Sequence, residues 1–361
     1  MNLSKDATTR PTLDRRFLLT ILAICITAYP MVRAAAQDES AASATDTAGI
    51  PRNKVIKTIS VGGNPYAIVV SRNNKFIYVT DPLGGLVTKI SSKTNKVVKQ
   101  FSVPGAYALA ISKNGTQLYI STYAEQGITV LNANSGAVVQ NFAVGGDPRY
   151  VTMTPNGEQV WVADANSAKI WVIDTATKAL SSVGDGLGID PTCVAFSPDG
   201  STAYAADLNF QGIDIFDTAS GSKTGFISTG YDVAWCVINP AGGNALYVDR
   251  PYVTGTTLTP AFMFTVIQGG SVQQIGTGEL PSNFAVNKNG KYLYVPFAHA
   301  TTTQLGNTVV MYDTSTLQPV GSPITVGNQP EFVVIAPSQK RAYVSNWDDG
   351  TISVINIQPA G

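Results

Sequence analysis

Residues 76–81 read Phe-Ile-Tyr-Val-Thr-Asp, and the central pair of this stretch, an aromatic residue followed by an apolar one, recurs along the chain. Successive occurrences lie 41, 42, 43, 43, 47 and 49 residues apart. Thirteen residues before each aromatic stands a proline or an alanine, and five of these seven positions are prolines. A fixed internal offset with drifting total spacing is typical of a structural repeat with regular strands and variable loops. The aromatic positions are Tyr78, Tyr119, Trp161, Tyr204, Tyr247, Tyr294 and Tyr343.

Each repeat contains four short runs in which apolar and polar residues alternate, and turn signals such as Ser197-Pro198-Asp199-Gly200 separate the first run from the second. No helical period of useful length appears beyond the N-terminal segment. Four strands repeated radially predict an all-β fold, a seven-bladed β-propeller with four-stranded antiparallel blades over residues 54–361. The seventh repeat supplies only three runs, so we expect the N-terminal run Val55 to Val61 to complete the last blade as its outer strand.

The quartets Tyr78-Val79-Thr80-Asp81 and Tyr343-Val344-Ser345-Asn346 resemble the Tyr-Val-Thr-Asn signature of YVTN-repeat seven-bladed propellers, which include an exported YncE-like group. The Asp-Thr pairs that end several third runs, such as Asp174-Thr175, match as well. This resemblance covers roughly residues 54–357 and implies an exported bacterial or archaeal protein. It implies no particular activity, because propellers host many functions.

Residues 1–36 have the layout of a secretory signal peptide. Basic residues are followed by a mostly apolar run, Phe17 to Tyr29, and by the small residues Ala34-Ala35-Ala36. We therefore expect cleavage near Ala36 and a periplasmic or secreted protein without a membrane span, whereas Arg15-Arg16 leaves both the general and the twin-arginine export routes open. Residues 37–53, with little apolar patterning, are predicted to be a disordered linker.

The charge balance argues against a protein that coats a polyanion. The whole chain has 24 basic and 24 acidic residues, and removal of the signal peptide leaves 19 and 22. A single histidine excludes sites built from several imidazoles, and three cysteines exclude a four-thiolate zinc site. The mature chain is thus acidic, which makes nucleic acid a poor partner, although single-stranded DNA stacking on aromatic residues stays a third hypothesis.

The residue after each proline position varies between repeats although its neighbours agree. In a propeller this position faces the mouth of the central channel, so the variation favours a recognition surface, with ordinary channel lining as the alternative. Two residues further on, the positions are apolar and predict packing between blades. The predicted recognition residues include Tyr66, Tyr107, Arg149, Trp235 and Glu331, beside Thr192 and Ser282.

The residues after the proline positions form a first ring around the channel mouth. The residues sixteen positions after each proline position form a second ring, which contains the carboxylates of Asp81, Asp164 and Asp207. Three carboxylates near one mouth could bind Ca²⁺ or a similar divalent cation, as in metal-dependent lactonase- or lyase-like propellers. The competing interpretation, which we favour, is that these side chains cap the turns after the second strands. We therefore expect no cofactor and place the metal site as the alternative.

The fifth and sixth repeats have the longest connections between second and third strands, Arg250 to Ala261 and Phe297 to Asn307. Insertions on one face of a repeat ring often mark the binding side. Arg250, Phe297 and His299 are therefore candidate ligand-binding residues, and Trp347 is added because it lies beside the second ring. Cys193 and Cys236 occupy equivalent positions in successive repeats and are predicted to be buried thiols rather than a disulfide.

These observations favour a binding or scaffold protein that recognises a protein, a glycan or a small polar molecule at the channel mouth. We predict no catalytic residues, since the sequence lacks a Gly-x-Ser-x-Gly elbow. The alternative is an enzyme of the lactonase or lyase type that uses the three carboxylates and a metal.

Overall fold

The computed structural model describes residues 53–186, 189–208, 210–243, 245–249, 263–300 and 304–357. These residues form seven antiparallel sheets, six of which are built from consecutive strands of the chain, whereas the seventh combines the first strand with the last three. Within these ranges the regular structure is all β, and no helix is long and apolar enough to span a bilayer. The signal peptide and almost all of the predicted linker lie outside the described residues, so both remain predictions.

The first four blades have four strands each, which run from the innermost to the outermost in chain order. Blade one contains β2 (Ile68–Val70), β3 (Phe76–Asp81), β4 (Leu86–Ser91) and β5 (Lys96–Ser102). Blade two contains β6 (Ala106–Ile111), β7 (Gln117–Thr122), β8 (Gly127–Asn132) and β9 (Val138–Ala143). Blade three contains β10 (Pro148–Met153), β11 (Gln159–Asp164), β12 (Lys169–Asp174) and β13 (Leu180–Val183). Blade four contains β14 (Pro191–Phe196), β15 (Thr202–Asp207), β16 (Gly212–Asp217) and β17 (Lys223–Ser228).

The remaining blades follow the same plan with a divided inner strand in blade six. Blade five contains β18 (Trp235–Ile238), β19 (Leu246–Asp249), β20 (Met263–Gln268) and β21 (Ser271–Gly276). Blade six contains β22 (Leu280–Pro281), β23 (Ala285–Val286), β24 (Tyr292–His299), β25 (Leu305–Asp313) and β26 (Ile324–Thr325). Blade seven contains β27 (Pro330–Ile335), β28 (Arg341–Asn346) and β29 (Thr351–Asn356).

The N-terminal strand closes the ring, as the sequence predicts. Strand β1 (Lys54–Ser60) pairs antiparallel with β29 and forms the outer edge of blade seven, in the order β1-β29-β28-β27. Its pairing runs from Lys54 opposite Asn356 to Ser60 opposite Thr351. The closure covers the edge of β29 that would otherwise expose unpaired backbone groups.

The recurring aromatics of the second strands lie in the core. Trp161, Tyr294 and Tyr343 are each at most 1% exposed. The Tyr78 hydroxyl donates to the carbonyl of Ala133 in the next blade at 2.9 Å, which satisfies the one polar atom of a buried ring. The repeat therefore specifies both the strand and its contact with the neighbouring blade.

Two local predictions had different outcomes. Cys193 and Cys236 are buried and form no disulfide, as expected. The expected long connection Phe297 to Asn307 is in large part a hairpin instead, because β24 and β25 extend to the pairs Phe297–Thr308 and His299–Leu305. The apolar side chain of Phe297 stabilises that extension by packing into the core, where it is 2% exposed.

Candidate functional site

The innermost strands of the seven blades surround a central channel, and the channel has two ends. We call the side that carries the loops before the innermost strands, and the loops joining second to third strands, the loop face. The opposite side is the turn face. On the loop face the channel opens as a cavity of about 240 Å³, the polar mouth, whose lining includes Tyr66, Tyr107, Arg149, Tyr150, Thr192, Ser282, Asn283, His299 and Glu331.

Five of the nine residues predicted to bind a ligand line this cavity, and the other four are placed below. The five are Tyr66, Tyr107, Arg149, His299 and Glu331, and they come from blades one, two, three, six and seven. The predicted ring members Thr192 and Ser282 line it as well. Six of the seven residues at the variable position after the proline therefore reach one opening, and Trp235 is the exception.

Irregular pairing at the start of the inner strands explains why consecutive residues can both face the channel. The register of β6 with β7 shifts between Ala106 and Leu109, and that of β10 with β11 shifts between Pro148 and Val151. A bulge re-aims side chains and ends regular alternation. As a result, both Arg149 and Tyr150 line the polar mouth although they are adjacent in sequence.

Aromatic rings close the channel below the polar mouth, and we call this group the aromatic plug. The ring centroids of Tyr150 and Trp235 are 4.6 Å apart, and those of Trp235 and Phe332 are 5.2 Å apart. Tyr66 contacts Phe332 at 5.2 Å and Tyr107 at 4.8 Å. Tilted and edge-to-face contacts at these distances are favourable. The plug, composed of these five residues, separates the polar mouth from the channel beneath it.

Three tyrosine hydroxyls meet at the floor of the polar mouth. The Tyr66 hydroxyl shares hydrogen bonds with the hydroxyls of Tyr107 at 3.0 Å and Tyr150 at 2.7 Å. The Tyr150 hydroxyl in turn points at the side-chain oxygen of Asn283 over a long 3.5 Å contact. Burial raises the pKa of both Tyr66 and Tyr107 above the usual tyrosine value, so these phenols are protonated at neutral pH.

A charged group from blade three lies beside the hydroxyls. The Arg149 guanidinium is paired with Asp147, with its Nε 2.9 Å from the carboxylate. Burial raises the pKa of Asp147, and the opposing charge of Arg149 limits that rise. Burial also raises the pKa of the nearby Asp190 to about 6, so its proton affinity is unusually high for a carboxyl group. Arg149 is thus held in place by one carboxylate and stabilises a second.

Across the cavity, Glu331 is fixed by two donors. Its carboxylate accepts hydrogen bonds from Gln329 at 3.0 Å and from the Ser282 hydroxyl at 3.1 Å. Burial raises the pKa of Glu331 and lowers that of His299, which is half-buried and lines the same cavity. His299 therefore contributes a largely neutral imidazole, and Glu331 a rigid acceptor.

The other candidates lie elsewhere. Trp235 belongs to the plug rather than to the lining of the polar mouth, and Trp347 is half-buried beside it, with its ring 5.9 Å from that of Tyr66. Phe297 packs in the core of blades five and six and does not reach the mouth. Arg250 lies outside the described residues.

The three carboxylates of the second ring are engaged by their own loops. Asp81 accepts backbone hydrogen bonds from Gly84 at 2.8 Å and Asn64 at 3.3 Å. Asp164 accepts from the backbone of Asp147 and from the Trp171 indole at 2.9 Å.

Asp207 accepts from the backbone of Asp190 at 3.0 Å, and so has the same role as its counterparts in blades one and three. Each side chain therefore joins the loop before the first strand to the loop after the second, which is the turn-capping interpretation. In the part of the chain that the structure describes, no three acidic, histidine or cysteine side chains form a group that could bind a metal. All three carboxylates accept hydrogen bonds from the backbone of the adjacent loops, as the capping interpretation expects.

Two plug residues escaped sequence reasoning. Tyr150 and Phe332 stand two residues after their proline positions, where Cys193 and Cys236 also stand and where small residues such as Ala67 are found. The signal was a size difference at that position, because a large ring there reaches the channel axis, whereas the other blades contribute Ala, Cys or, in blade six, Asn283.

Known proteins share this architecture. The family model described as Lactonase, 7-bladed beta-propeller matches residues 86–196, which is less than a third of the chain. Fold and family model agree on a seven-bladed β-propeller. No curated protein matches the chain.

Two solved structures are similar in fold. The Kuenenia stuttgartiensis Hydrazine Synthase is 21% identical with a TM-score of 0.69, and the match covers 81% of this chain and 95% of that one. The Cps50 (Swd1) beta-propeller domain of Myceliophteria thermophila is 10% identical with a TM-score of 0.69, covering 85% of this chain and 100% of that one. At these identities the likeness shows the fold alone.

Proposed function

We propose that this chain is an exported β-propeller binding protein that recognises a small polar group at the polar mouth. The observation that carries this proposal is the convergence of three tyrosine hydroxyls, Arg149, Glu331 and His299 on one cavity of about 240 Å³. Ligand pockets usually measure about 300–1,000 Å³, so this one suits a single sugar unit or one side chain of a larger partner.

The chemistry of the cavity favours a ligand that donates hydrogen bonds. If the Tyr150 hydroxyl donates to Asn283, then the Tyr66 hydroxyl donates to Tyr150 and the Tyr107 hydroxyl donates to Tyr66. The Tyr107 oxygen then presents its lone pairs to the cavity as a hydrogen-bond acceptor. Glu331 presents a second acceptor. Arg149 is already neutralised by Asp147. A primary amine next to hydroxyl groups matches this arrangement best.

The loop face around the polar mouth also favours a positively charged ligand. Its loops contain many more acidic than basic residues, and the described basic ones are Arg149 and Lys169. Such a surface attracts cations and repels anions, which also argues against nucleic acid. The exposed acidic residues of this face include Glu125, Asp185, Asp348 and Asp349.

Calorimetric titration with glucosamine, glucose and lysinamide tests the proposal. Glucosamine should bind more tightly than glucose, because the amine replaces one hydroxyl at an anionic site. Lysinamide distinguishes a side-chain ligand from a glycan ligand. Glu331→Gln should weaken amine binding by roughly tenfold, since a hydrogen bond to a charged group contributes about 1.5–3 kcal/mol.

Glu125→Gln is the matched control, because Glu125 is an exposed acid of the loop face outside the cavity and the substitution changes the net charge equally. Equal effects of the two substitutions would show that only bulk charge matters. Absence of binding by all three compounds to the wild-type protein would overturn the proposal of an amine-binding mouth.

Export and the relationship to YVTN-repeat proteins complete the proposal. The signal-like segment and the quartets such as Tyr78-Val79-Thr80-Asp81 support them. Intact-mass measurement of protein recovered from an expressing bacterium should give a mature chain that begins at Gln37. A chain retaining residues 1–36 in the cytoplasm would contradict export.

The alternative is hydrolysis of a lactone, favoured by the family match over residues 86–196, which contain Arg149 and Asp164. The capping role of the three carboxylates gives this alternative less support than binding. Incubation with δ-gluconolactone, with Ca²⁺ or with chelator, is the direct assay. Chelator-sensitive turnover would favour the enzyme over the binding protein.

A further inference from the structure

On the turn-face side of the aromatic plug lies a second and larger cavity, the apolar mouth, of about 740 Å³. Its floor is the turn-face side of the plug, since Tyr150, Trp235 and Phe332 all line it. Six of the seven innermost strands contribute to its walls. The volume lies within the usual range of small-molecule sites.

The walls of the apolar mouth are mostly hydrocarbon, and Arg72, Lys288 and Gln339 are the strongly polar members of the lining. The apolar members include Ile68, Leu109, Val151, Phe284 and Val333, which occupy the positions that the sequence assigns to packing between blades. These side chains are all less than 9% exposed, so they do pack, but one edge of each also faces the channel. A hydrocarbon chain that enters the cavity would exchange water for apolar contact on every side.

Two cations stand at the rim, and the lining contains no acid. Arg72 and Lys288 belong to the turns between first and second strands of blades one and six, and both are exposed. Neither forms an ion pair among the described residues, in contrast to Arg149 at the other mouth. The same two turns also carry Lys75 and Lys291, which add positive charge near this rim.

We propose that the apolar mouth binds an amphipathic carboxylate, whose unbranched hydrocarbon chain fills the cavity and whose head group contacts Arg72 and Lys288. An arginine can bind a carboxylate through two parallel hydrogen bonds, and a lysine adds a compact charge. The aromatic plug limits the depth of the chain and keeps this ligand away from the polar mouth. The site is therefore separate from the one proposed above, and either can fail without the other.

Titration calorimetry with hexanoate, octanoate and decanoate, below their micellar concentrations, tests the apolar part. Each added methylene should tighten binding by roughly fourfold as long as the cavity accommodates it. Decanol and decyltrimethylammonium test the head group. Decanoate should bind most tightly, and affinity for decyltrimethylammonium equal to or above that for decanoate would overturn the proposal.

The double variant Arg72→Gln with Lys288→Gln should weaken decanoate binding by about tenfold and leave decanol binding unchanged, because rim charges contribute modestly at an exposed site. The matched control is Lys75→Gln with Lys291→Gln, which removes the same charge from the same two turns but from residues that do not line the cavity. It should reduce decanoate affinity by less than about twofold. Equal losses in the two variants would refute a specific head-group contact.

The location is tested by Ala285→Phe, since Ala285 lines the cavity and is only half-buried. A phenyl ring there should occupy part of the cavity and abolish decanoate binding, with thermal unfolding as the check on folding. Unchanged decanoate affinity in a folded Ala285→Phe variant would place the ligand elsewhere and overturn the proposal. If that variant does not fold, the paired charge variants still decide it.

Discussion

The polar mouth presents hydroxyls and charges, whereas the apolar mouth, formed by the same innermost strands, presents hydrocarbon within a basic rim. The difference arises over very few residues: Arg149 and Tyr150 face the polar mouth, and the next residue, Val151, faces the apolar one. Irregular pairing at the start of the strands permits this change. One ring of strands can therefore carry two sites of different chemistry, provided that something separates them.

The aromatic plug is that separation, and its removal should have the largest effect. Phe332→Ala would delete a ring that is 7% exposed and contacts Tyr66, Tyr150 and Trp235. We expect a loss of about 3–5 kcal/mol in the free energy of unfolding, measured by urea denaturation. Phe332→Leu should cost much less, because it retains most of the volume. A loss equal to that of Phe332→Ala would mean that ring contacts, rather than volume, hold the plug.

Capping carboxylates of the two faces give the next comparison. Asp164 is fully buried and accepts hydrogen bonds from two backbone amides and an indole. Asp164→Ala should lower the free energy of unfolding by about 2–3 kcal/mol, because it leaves buried donors unpaired. Asp199 caps an exposed turn of the other face, and Asp199→Ala should have a much smaller effect. Similar losses in the two variants would show that burial does not determine how much each cap contributes to the free energy of unfolding.

The hydroxyl network distinguishes the mouths by ligand binding. Tyr66→Phe removes the oxygen that joins the Tyr107 and Tyr150 hydroxyls but keeps the ring of the plug. We expect a loss of about 1 kcal/mol in the free energy of unfolding and weaker binding of glucosamine. Decanoate affinity should not change. A parallel loss of decanoate binding would show that the two cavities are not separated by the plug.

The smallest expected effect is a dependence on pH. The pKa of Asp190, about 6, lies above the ordinary value for aspartate, so the folded protein binds this proton before the unfolded chain does. The ionised carboxyl therefore destabilises the fold at pH 7, and the penalty disappears as the pH falls towards 4. Asp190→Asn should be more stable than the wild type at pH 7 by less than about 1 kcal/mol, after allowance for solvent screening.

Urea denaturation of Asp190→Asn and wild type at pH 7 and pH 5 measures that difference, which should shrink at the lower pH. A difference that is constant or grows as the pH falls would contradict the raised pKa. Decanol binding offers a contrast, since neither this ligand nor Arg72 and Lys288 titrates across this range and its affinity should stay constant.

The repeat made the fold predictable in detail. The spacing of the aromatics located every second strand, and the missing fourth run of the last repeat led to the pairing of β1 with β29. These features follow from local patterns that each blade repeats. The channel was predictable only in part: Tyr66, Tyr107, Arg149 and Glu331 were found because they differ between blades.

The plug and the apolar mouth could not be found in this way. Tyr150 and Phe332 gain their role from rings contributed by other blades, since each contacts Trp235, which is 85 and 97 residues away in sequence. Ile68 and Val333 resemble ordinary packing residues because they also pack. When an apolar side chain both packs in the core and lines a cavity, its hydrophobicity in the sequence predicts the packing but not the cavity.

The separation of the two mouths by the aromatic plug is the claim on which the other proposals depend, and a crystal structure of the mature protein would test it most directly. We predict that Tyr150, Trp235 and Phe332 lie in mutual contact across the channel axis, with ordered water on the loop-face side reaching the Tyr66 hydroxyl. A continuous water-filled passage from one face to the other, with these rings turned away from the axis, would contradict it.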